Sequence, residues 1–226
     1  MKIVCAVIPA LNEAPRIGAV IDKIRAQDMD VIVVDDGSTD ATSETAKRSA
    51  SFVLFHNVTR GKGAALKTGL EFAVEKGYEV AVILDGDAQH DPSEIPVLIN
   101  EFNLTGSDMI AANRMHDPKG MPPIRIFVNK IGSKIVSALC GGHIPDAFTG
   151  YKIVRLNILQ SITLESDGYE IDPEMLIKAM RAGYKIGHVN TSCIYEGQKS
   201  RIRVLPDGYK LLRMFVSLLF YRRKRR

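Results

Sequence analysis

The sequence predicts an α/β fold with a mostly parallel central sheet flanked by helices. In the first half of the chain, short apolar runs alternate with segments that have the apolar spacing of helices. The apolar runs are rich in valine and isoleucine and are not interrupted by polar residues, as expected of strands buried on both faces. Repeated strand–helix units of this kind indicate a parallel sheet covered by helices on both sides.

Four such units are predicted before residue 104. The strands are residues 2–8, 31–34, 52–56 and 80–84, and the helices are residues 15–26, 40–48, 63–76 and 92–103. The apolar positions of the first helix, which share one face, are Ile17, Val20, Ile21 and Ile24. In the last helix, Asp91, Pro92 and Glu94 suit the N-cap, N1 and N3 positions.

The alternation changes after the apolar run 108–112. Residues 115–123 hold three prolines and are predicted to form a loop. Residues 124–140 have the pattern of an amphipathic helix, whose apolar side comprises Ile124, Phe127, Val128, Ile131, Ile135 and Leu139. A further helix is predicted from Asp172 to Gly183, followed by strands at 184–190 and 192–196 and by a final helix.

The charge distribution separates a near-neutral body from a basic end. The chain has 226 residues and a net charge of +4. The five cations of residues 222–226 account for more than all of it, so the rest sums to 4 − 5 = −1. We therefore predict one domain at 1–205, followed by an amphipathic helix and basic tail at 206–226, and no nucleic-acid partner.

Three cysteines lie far apart, at Cys5, Cys140 and Cys193, without the spacing of a metal site. Sparse, odd-numbered cysteines and the lack of a signal-peptide pattern predict a reduced, cytoplasmic setting.

The strongest functional motif is Asp85-Gly86-Asp87-Ala88-Gln89-His90, directly after the predicted strand 80–84. Open α/β sheets bind ligands at the carboxyl ends of their strands. Two carboxylates one residue apart at such an end suit Mg²⁺ or Mn²⁺, which substrate phosphates help to coordinate. A solvated acidic turn is the alternative, because Asp-x-Asp by itself is common.

Two further motifs follow the first two predicted strands. The first is Pro9-Ala10-Leu11-Asn12-Glu13, and the second is Asp35-Asp36-Gly37-Ser38-Thr39-Asp40. Asp35 or Asp36 could accept hydrogen bonds from a base or ribose. A structural role is also expected, with Gly37 in a turn and Ser38 or Asp40 capping the next helix.

Two basic segments could hold phosphate. Arg60-Gly61-Lys62-Gly63 opens a predicted helix, where glycines let backbone N–H groups approach an anion. A plain flexible loop is the alternative. Lys199, Arg201 and Arg203 share one face of an extended segment and could clamp a phosphate, although a charge-protected edge strand gives the same pattern.

The final helix has a broad apolar face and a narrow polar stripe of Lys210, Arg213 and Ser217. The apolar stretch is too short to span a bilayer. It suits a helix lying in the membrane interface, with the basic tail against anionic lipid. A core-packed helix with a solvated tail is the alternative.

Taken together, these motifs resemble those of family 2 glycosyltransferases of the GT-A fold, and most closely the dolichyl- or polyprenyl-phosphate sugar synthases. The resemblance covers roughly residues 1–205. It also includes Arg114 and the segment Asp146-Ala147-Phe148-Thr149-Gly150-Tyr151-Lys152.

The resemblance implies a role for each matching residue. The nucleotide would contact Pro9, Leu11, Asn12, Glu13, Asp35, Asp36, Lys62, Asp85 and Gly86. The metal would be held by Asp85, Asp87 and Gln89, and the acceptor phosphate by Arg114, Lys199, Arg201 and Arg203. The residues nearest the chemistry would be Asp87, Arg114, Asp146 and Arg201.

The predicted activity is inverting transfer of a hexose from a GDP- or UDP-sugar to a polyprenyl or dolichyl phosphate at the cytoplasmic face of the membrane. A phosphate acceptor needs no general base, because its second pKa is near 6. Two alternatives remain. One is transfer to a hydroxyl with Asp146 as the base, and the other is an inactive nucleotide-sugar-binding module.

Overall fold

In the computed structural model, residues 3–194 and 204–219 are described, with side chains at 3–194 and 208–218. The strands are β1 Val4–Ala10, β2 Asp30–Asp35, β3 Phe52–Phe55, β4 Val80–Ile83, β5 Met109–Asn113, β6 Lys152–Arg155 and β7 Ile186–Asn190. The helices are α1 Ile17–Arg25, α2 Thr42–Ala46, α3 Lys62–Glu75, α4 Ile95–Thr105, α5 Pro123–Cys140, α6 Ile171–Arg181 and α7 Val204–Leu219.

The seven strands form one sheet in the order β3-β2-β1-β4-β6-β5-β7. All neighbouring pairs are parallel except β4–β6 and β6–β5. The predicted mostly parallel sheet is therefore confirmed. The antiparallel strand β6 had not been predicted, because four residues that begin and end with a cation carry little strand signal.

Helices cover both faces of the sheet. Successive side chains of a strand point to opposite faces, so each strand contributes side chains to both hydrophobic cores. Ala6 and Ile8 of β1 pack with α1, α2 and α4, whereas Cys5 and Val7 pack with α3, α5, α6 and α7. Each face thus has its own continuous hydrophobic core.

The predicted strand at 192–196 is wrong over its described part, since residues 192–194 are not in a strand. Residues 195–196 lie outside the described ranges. The amide of Ile194 instead donates to the carbonyl of Gln89 at 3.0 Å, so this segment runs back toward the loop after β4. The predicted strand at 184–190 is confirmed as β7.

The two amphipathic helices do not bury their apolar faces alike. In α5 the buried residues are Gly132, Ser133 and Val136, and most of the predicted apolar side is exposed. In α7, Met214 and Leu218 are buried in the core. Within the described residues, no helix is both long and apolar enough to cross a membrane.

Candidate functional site

The predicted motifs meet at one edge of the sheet. The parallel strands β1, β2 and β4 end there, with Ala10 beside Asp35 in the register and the amide of Leu84 bonded to the carbonyl of Val7. Because β6 is antiparallel to both β4 and β5, those two strands also run in the same direction. Arg114, which follows β5, therefore lies at this edge too.

Asp85 and Asp87, the carboxylate pair after β4, are half-buried, and the charge of Asp85 affects the pKa of Asp87. Burial would raise the pKa of Asp85, but the ammonium of Lys62 lowers it to about 2. Burial and the negative charge of Asp85 raise the pKa of Asp87 to about 6. One Asp87 oxygen accepts the amide N–H of Gln89 at 3.0 Å, which folds the loop back on itself.

Lys62 connects this pair to two residues that sequence reasoning did not assign to the site. Its Nζ lies 2.8 Å from Oδ1 of Asp85 and 3.0 Å from Oδ2 of Asp172. Asp172 also accepts a contact of 2.5 Å from Nζ of Lys152. The result is a chain of alternating charges, Asp85–Lys62–Asp172–Lys152, in which the last two side chains are almost fully buried.

Lys152 and Asp172 were missed for different reasons. Lys152 starts β6, and an antiparallel strand brings its beginning, not its end, to the edge where parallel strands end. Asp172 had the pattern of a helix-starting residue and does lie in the first turn of α6. Lys152 could have been identified from the segment 146–152, because it is the last residue of that family-matching segment.

Gly150 fits closely beside the carboxylate pair. A Cβ atom at this position would lie 2.5 Å from Oδ2 of Asp85 and 2.7 Å from Nζ of Lys62. Any other residue would push the Asp85–Lys62 pair apart. His90 is also buried here, stacked on Tyr151 with ring centroids 5.1 Å apart, and burial lowers its pKa to about 4.

The loops after β1 and β2 hold each other. The side-chain oxygen of Asn12 accepts the backbone N–H of Thr39 at 2.8 Å, and the backbone N–H of Asn12 donates to Oγ of Ser38. Asp35 accepts the amide of Ser38 at 3.0 Å. The predicted turn at Gly37 is confirmed by its φ of 76°, but the predicted cap by Ser38 or Asp40 is wrong, since the N-cap of α2 is Ala41. Glu13 is buried and pairs with Arg16 at 3.0 Å. Pro9 is buried and Leu11 is half-buried at the end of β1.

Asp36 organises the loop that leads into α3. Its carboxylate accepts the amide N–H groups of Arg60 at 3.0 Å and Gly61 at 2.7 Å, and it contacts Nδ1 of His56 at 2.7 Å. The side chain is almost fully buried. Asp36 therefore fixes the position of the backbone of residues 60–61, directly before Lys62.

The interpretation of the α3 start as an open anion site is wrong. The amide N–H groups of Gly63 and Ala64 donate to the carbonyl of Asp167 at 2.8 and 3.2 Å. A Cβ at Gly61 would lie 2.3 Å from that same carbonyl oxygen, so the glycine admits the 167 loop rather than a phosphate. Lys62 remains at the site through its side chain.

Arg114 and Asp146 form a buried bidentate pair. Nε of Arg114 lies 2.7 Å from Oδ2 and Nη2 lies 3.0 Å from Oδ1 of Asp146. Oδ1 of Asp146 also accepts the amide of Phe148 at 3.2 Å. Burial would raise the pKa of Asp146, but the guanidinium of Arg114 lowers it.

A cavity of about 350 Å³ lies at the ends of β5 and β7, and one of its lining residues, His116, is two residues after Arg114. Its lining residues include Glu94, His116, Lys119, Asn190 and Thr191. The other predicted acceptor-binding cations, Lys199, Arg201 and Arg203, lie outside the described residues.

The residues after β4 fit a divalent cation. Two carboxylates and the amide oxygen of Gln89 are the oxygen ligands that Mg²⁺ and Mn²⁺ prefer. A cation would also relieve the repulsion that raises the pKa of Asp87. Within the part of the chain that the structure describes, no three His, Cys, Asp or Glu side chains cluster in a metal-binding arrangement. Further ligands would have to come from a substrate diphosphate.

Comparison with known proteins gives consistent results. The undecaprenyl-phosphate mannosyltransferase of Micrococcus luteus is 31% identical over 198 residues, 82% of this chain and 81% of that protein. The UDP-N-acetylglucosamine–dolichyl-phosphate N-acetylglucosaminyltransferase of Methanococcus voltae is 29% identical over 241 residues, 96% of each chain.

The fold is shared with a solved enzyme. Glucosyl-3-phosphoglycerate synthase from Mycobacterium tuberculosis, in complex with Mn²⁺, UDP and phosphoglyceric acid, matches with a TM-score of 0.72 and 22% identity, over 97% of this chain and 78% of that one. This likeness confirms the predicted GT-A architecture. The model of glycosyl transferase family 2 matches residues 5–163, which include every motif from β1 to β6. The chain therefore belongs to glycosyl transferase family 2.

Proposed function

We propose that this chain is an inverting glycosyltransferase that moves a hexose from a GDP- or UDP-sugar to a polyprenyl or dolichyl phosphate. The observation that carries the proposal is the half-buried pair Asp85 and Asp87 at the end of β4, with the buried Arg114–Asp146 pair at the end of β5 on the same edge of the sheet. The first pair suits a metal-bound diphosphate, and the second suits an acceptor phosphate. The named polyprenyl- and dolichyl-phosphate relatives support this choice of acceptor.

In this proposal the residues that follow β1, β2 and β4 bind the donor, and Arg114 after β5 binds the acceptor. A bound Mg²⁺ or Mn²⁺ would stabilise the negative charge that builds on the departing diphosphate, and Asp85, Asp87 and Gln89 would hold it. Lys62, which already contacts Asp85, adds positive charge next to the leaving group. The loops at 9–13 and 35–38 would hold the nucleoside.

The contacts of Asp146 favour a phosphate acceptor over a hydroxyl. Both of its oxygens already accept hydrogen bonds, from Arg114 and from the amide of Phe148. The lowered pKa makes this carboxylate a weaker base than a free one. We propose that Asp146 positions Arg114, which binds the acceptor phosphate together with Lys199, Arg201 and Arg203. A phosphate oxygen is already a nucleophile at neutral pH.

Attachment to the membrane is part of the proposal. Residues 206–226 combine the exposed apolar side chains of Tyr209, Leu212 and Val216 with the basic tail 222–226. Peripheral binding at the cytoplasmic face would bring the edge of the sheet to the lipid phosphate. A chain that ends at Tyr221 should lose affinity for anionic vesicles in flotation, by about 1 kcal/mol for each basic residue removed.

The direct experiment is a donor panel of GDP- and UDP-sugars with Mg²⁺ or Mn²⁺ and a short polyprenyl phosphate. Formation of the glycosyl phospholipid, with inverted anomeric configuration, supports the proposal. Transfer only to hydroxyl acceptors would favour the alternative with Asp146 as base. Nucleotide-sugar binding without transfer or hydrolysis would favour an inactive binding module.

A further inference from the structure

Five large apolar side chains of α5 face solvent. Ile124, Phe127, Val128, Ile131 and Ile135 are 43–69% exposed. Their spacing of three, one, three and four residues places them along one side of the helix. Soluble monomers rarely expose a continuous apolar surface of this kind unless it binds something. We call this surface the α5 face.

The opposite side of α5 fixes the helix in this orientation. A Cβ at Gly132 would lie 2.3 Å from Cε2 of Phe148, so this side of the helix packs directly on the aromatic ring. Ser133 accepts the amide of Ala147 at 3.0 Å, and Ser137 accepts the amide of Ile144 at 2.9 Å. Rolling the helix to bury the α5 face would break both hydrogen bonds and lose the contact at Gly132.

The charges carried by α5 itself are all positive. Arg125, Lys130 and Lys134 lie on this helix, which contains no aspartate or glutamate, whereas Lys119 in the preceding loop pairs with Asp117 at 2.9 Å. An apolar stripe bordered only by cations suits an anionic lipid surface. It does not suit a second copy of this helix, because a two-fold contact would bring like charges together.

A second exposed apolar stripe ends close to α5. Arg181 donates from Nε to the carbonyl of Leu139 near the end of α5, at 3.4 Å, and from Nη1 to the carbonyl of Leu218 near the end of α7. One guanidinium therefore joins the C-terminal ends of both helices. Tyr209, Leu212 and Val216 of α7 are exposed as well.

The segment 146–150 connects the α5 face to the sheet edge that carries Asp85 and Asp87. Phe148, which packs on Gly132, is two residues before Gly150, which packs on Asp85 and Lys62. Asp146, at the start of the same segment, holds Arg114. A surface bound to α5 would thus be only one short segment away from the groups assigned to the acceptor phosphate.

We propose that the α5 face is a docking surface for an anionic lipid bilayer, separate from residues 206–226. This inference deepens the proposed function and rests on it for the identity of the acceptor, but the binding itself does not depend on catalysis. In this arrangement Ile124, Phe127 and Ile131 enter the acyl region, and Lys130 and Lys134 contact the headgroups.

The test compares two matched double variants by vesicle flotation. Ile124→Glu/Ile131→Glu places two charges seven residues apart on the α5 face. Val97→Glu/Leu104→Glu makes the same change at two exposed positions, seven residues apart, on α4. Vesicles of phosphatidylcholine, with and without phosphatidylglycerol, serve as the probe, and thermal unfolding confirms that each variant is folded.

The α5 variant should lose more than about tenfold in affinity for anionic vesicles, because two large aliphatic side chains no longer leave water. The α4 variant should bind like the wild type. Lys130→Gln/Lys134→Gln should weaken binding to anionic vesicles while leaving any binding to neutral ones unchanged. Equal binding by the two glutamate variants would overturn the proposal. So would a wild-type dimer that the α5 variant converts to a monomer without any change in vesicle binding.

Turnover of a short, water-soluble polyprenyl phosphate separates the two proposals. If the α5 variant keeps this turnover but fails on acceptor embedded in vesicles, both proposals are supported. If the wild type binds vesicles through α5 but transfers no sugar, the proposed function fails and the docking surface stands. If it transfers sugar but does not bind vesicles, the docking surface and the proposed membrane attachment both fail, whereas the proposed sugar transfer stands.

Discussion

Lys62 reaches from the first turn of α3 to Asp172 in the first turn of α6, with 3.0 Å between Nζ and Oδ2. The same ammonium contacts Asp85, so Lys62 of α3 helps to hold one of the proposed metal ligands. Burial would lower the pKa of Lys62, but Asp172 and Asp85 together raise it, so the side chain stays charged. The stability of the core and the charge of the site thus depend on one carboxylate.

We expect Asp172→Asn to destabilise the protein by about 3–5 kcal/mol, because two buried ammonium groups lose their shared counter-charge. Asp167→Asn is the control. It removes an exposed ion pair with Lys67 and should cost about 1 kcal/mol or less. Urea unfolding of both variants at pH 7 measures the difference. Similar urea midpoints for Asp172→Asn and Asp167→Asn would show that the ammonium groups of Lys62 and Lys152 do not need Asp172 as a counter-charge.

We expect Asp87→Asn to lower metal-dependent transfer at least about a hundredfold while the protein stays folded, because the metal contributes several kcal/mol to the transition state. Asp91→Asn, four residues later, removes the exposed ion pair with Lys23 but keeps a side chain that can cap the 3₁₀ turn, so it should leave transfer unchanged and cost about 1 kcal/mol of stability or less. Steady-state assays with and without EDTA provide the measurement. Full activity of Asp87→Asn, or of the wild type in excess EDTA, contradicts the metal assignment.

Asp36→Ala should weaken nucleotide binding several-fold without abolishing metal-dependent chemistry. The carboxylate accepts the amides of Arg60 and Gly61, so its loss releases the loop that leads to Lys62. Titration calorimetry with GDP and UDP tests this. The variant Glu44→Ala, on the short helix α2, serves as a control with expected wild-type affinity. Unchanged affinity of Asp36→Ala would remove this loop from the nucleotide site.

His90 makes stability fall on acidification between pH 6.5 and pH 4, whereas the raised pKa of Asp87 acts in the opposite direction over much of the same range. The pKa of His90 is about 4 in the folded protein, against about 6.5 when unfolded. Between these values the unfolded chain binds a proton that the folded chain does not, so stability rises with pH across this window. The shift corresponds to at most about 3 kcal/mol.

We therefore expect the urea midpoint of His90→Gln to rise less with pH between 4 and 6.5 than that of the wild type, because the contribution of His90 is gone and that of Asp87 remains. His116→Gln, at an exposed position, should leave the wild-type slope in place. Urea midpoints at a series of pH values give the answer. A slope in His90→Gln as steep as that of the wild type would assign the acid sensitivity to other groups.

Asp146→Asn separates a positioning role from a base role. If Asp146 positions Arg114, the KM for the acceptor phosphate should rise roughly tenfold or more, while the shape of the kcat–pH profile is unchanged. If Asp146 is the base, kcat itself should fall and the acidic limb of the profile should disappear. The buried pair also stabilises the fold, so the assay requires a check that the variant is folded.

Much of the fold followed from local patterns. The alternation of strands and helices up to residue 103 and the clustering of motifs at one edge depend on periodicity and on the geometry of parallel sheets, which sequence displays directly. β6 did not follow, because its place between β4 and β5 is set by long-range pairing. The filling of the α3 N-terminus by Asp167 depends on a loop distant in sequence, and no local signal reveals it.

The site was predictable to a similar extent. Asp85 and Asp87 follow a predicted strand, and the structure has them at its carboxyl end as expected. Arg114 was identified only through the family resemblance. Lys152 and Asp172 enter through an antiparallel strand and a helix start, whose relation to the edge is visible only in three dimensions. The exposure of the α5 face is of the same kind, because an amphipathic pattern identifies the apolar side of a helix but not what covers it.

The insertion of β6 also sets an order of assembly during synthesis. β1 to β4 can pair as soon as they leave the ribosome, but β5 cannot join them, since residues 152–155 form the strand between. A nascent chain that stops before residue 152 therefore has Asp85 and Asp87 but leaves the side of β4 without a neighbour. Such exposed strand edges invite pairing with other chains. Between the synthesis of β4 and that of β6, the edge of β4 is therefore open to pairing with another chain.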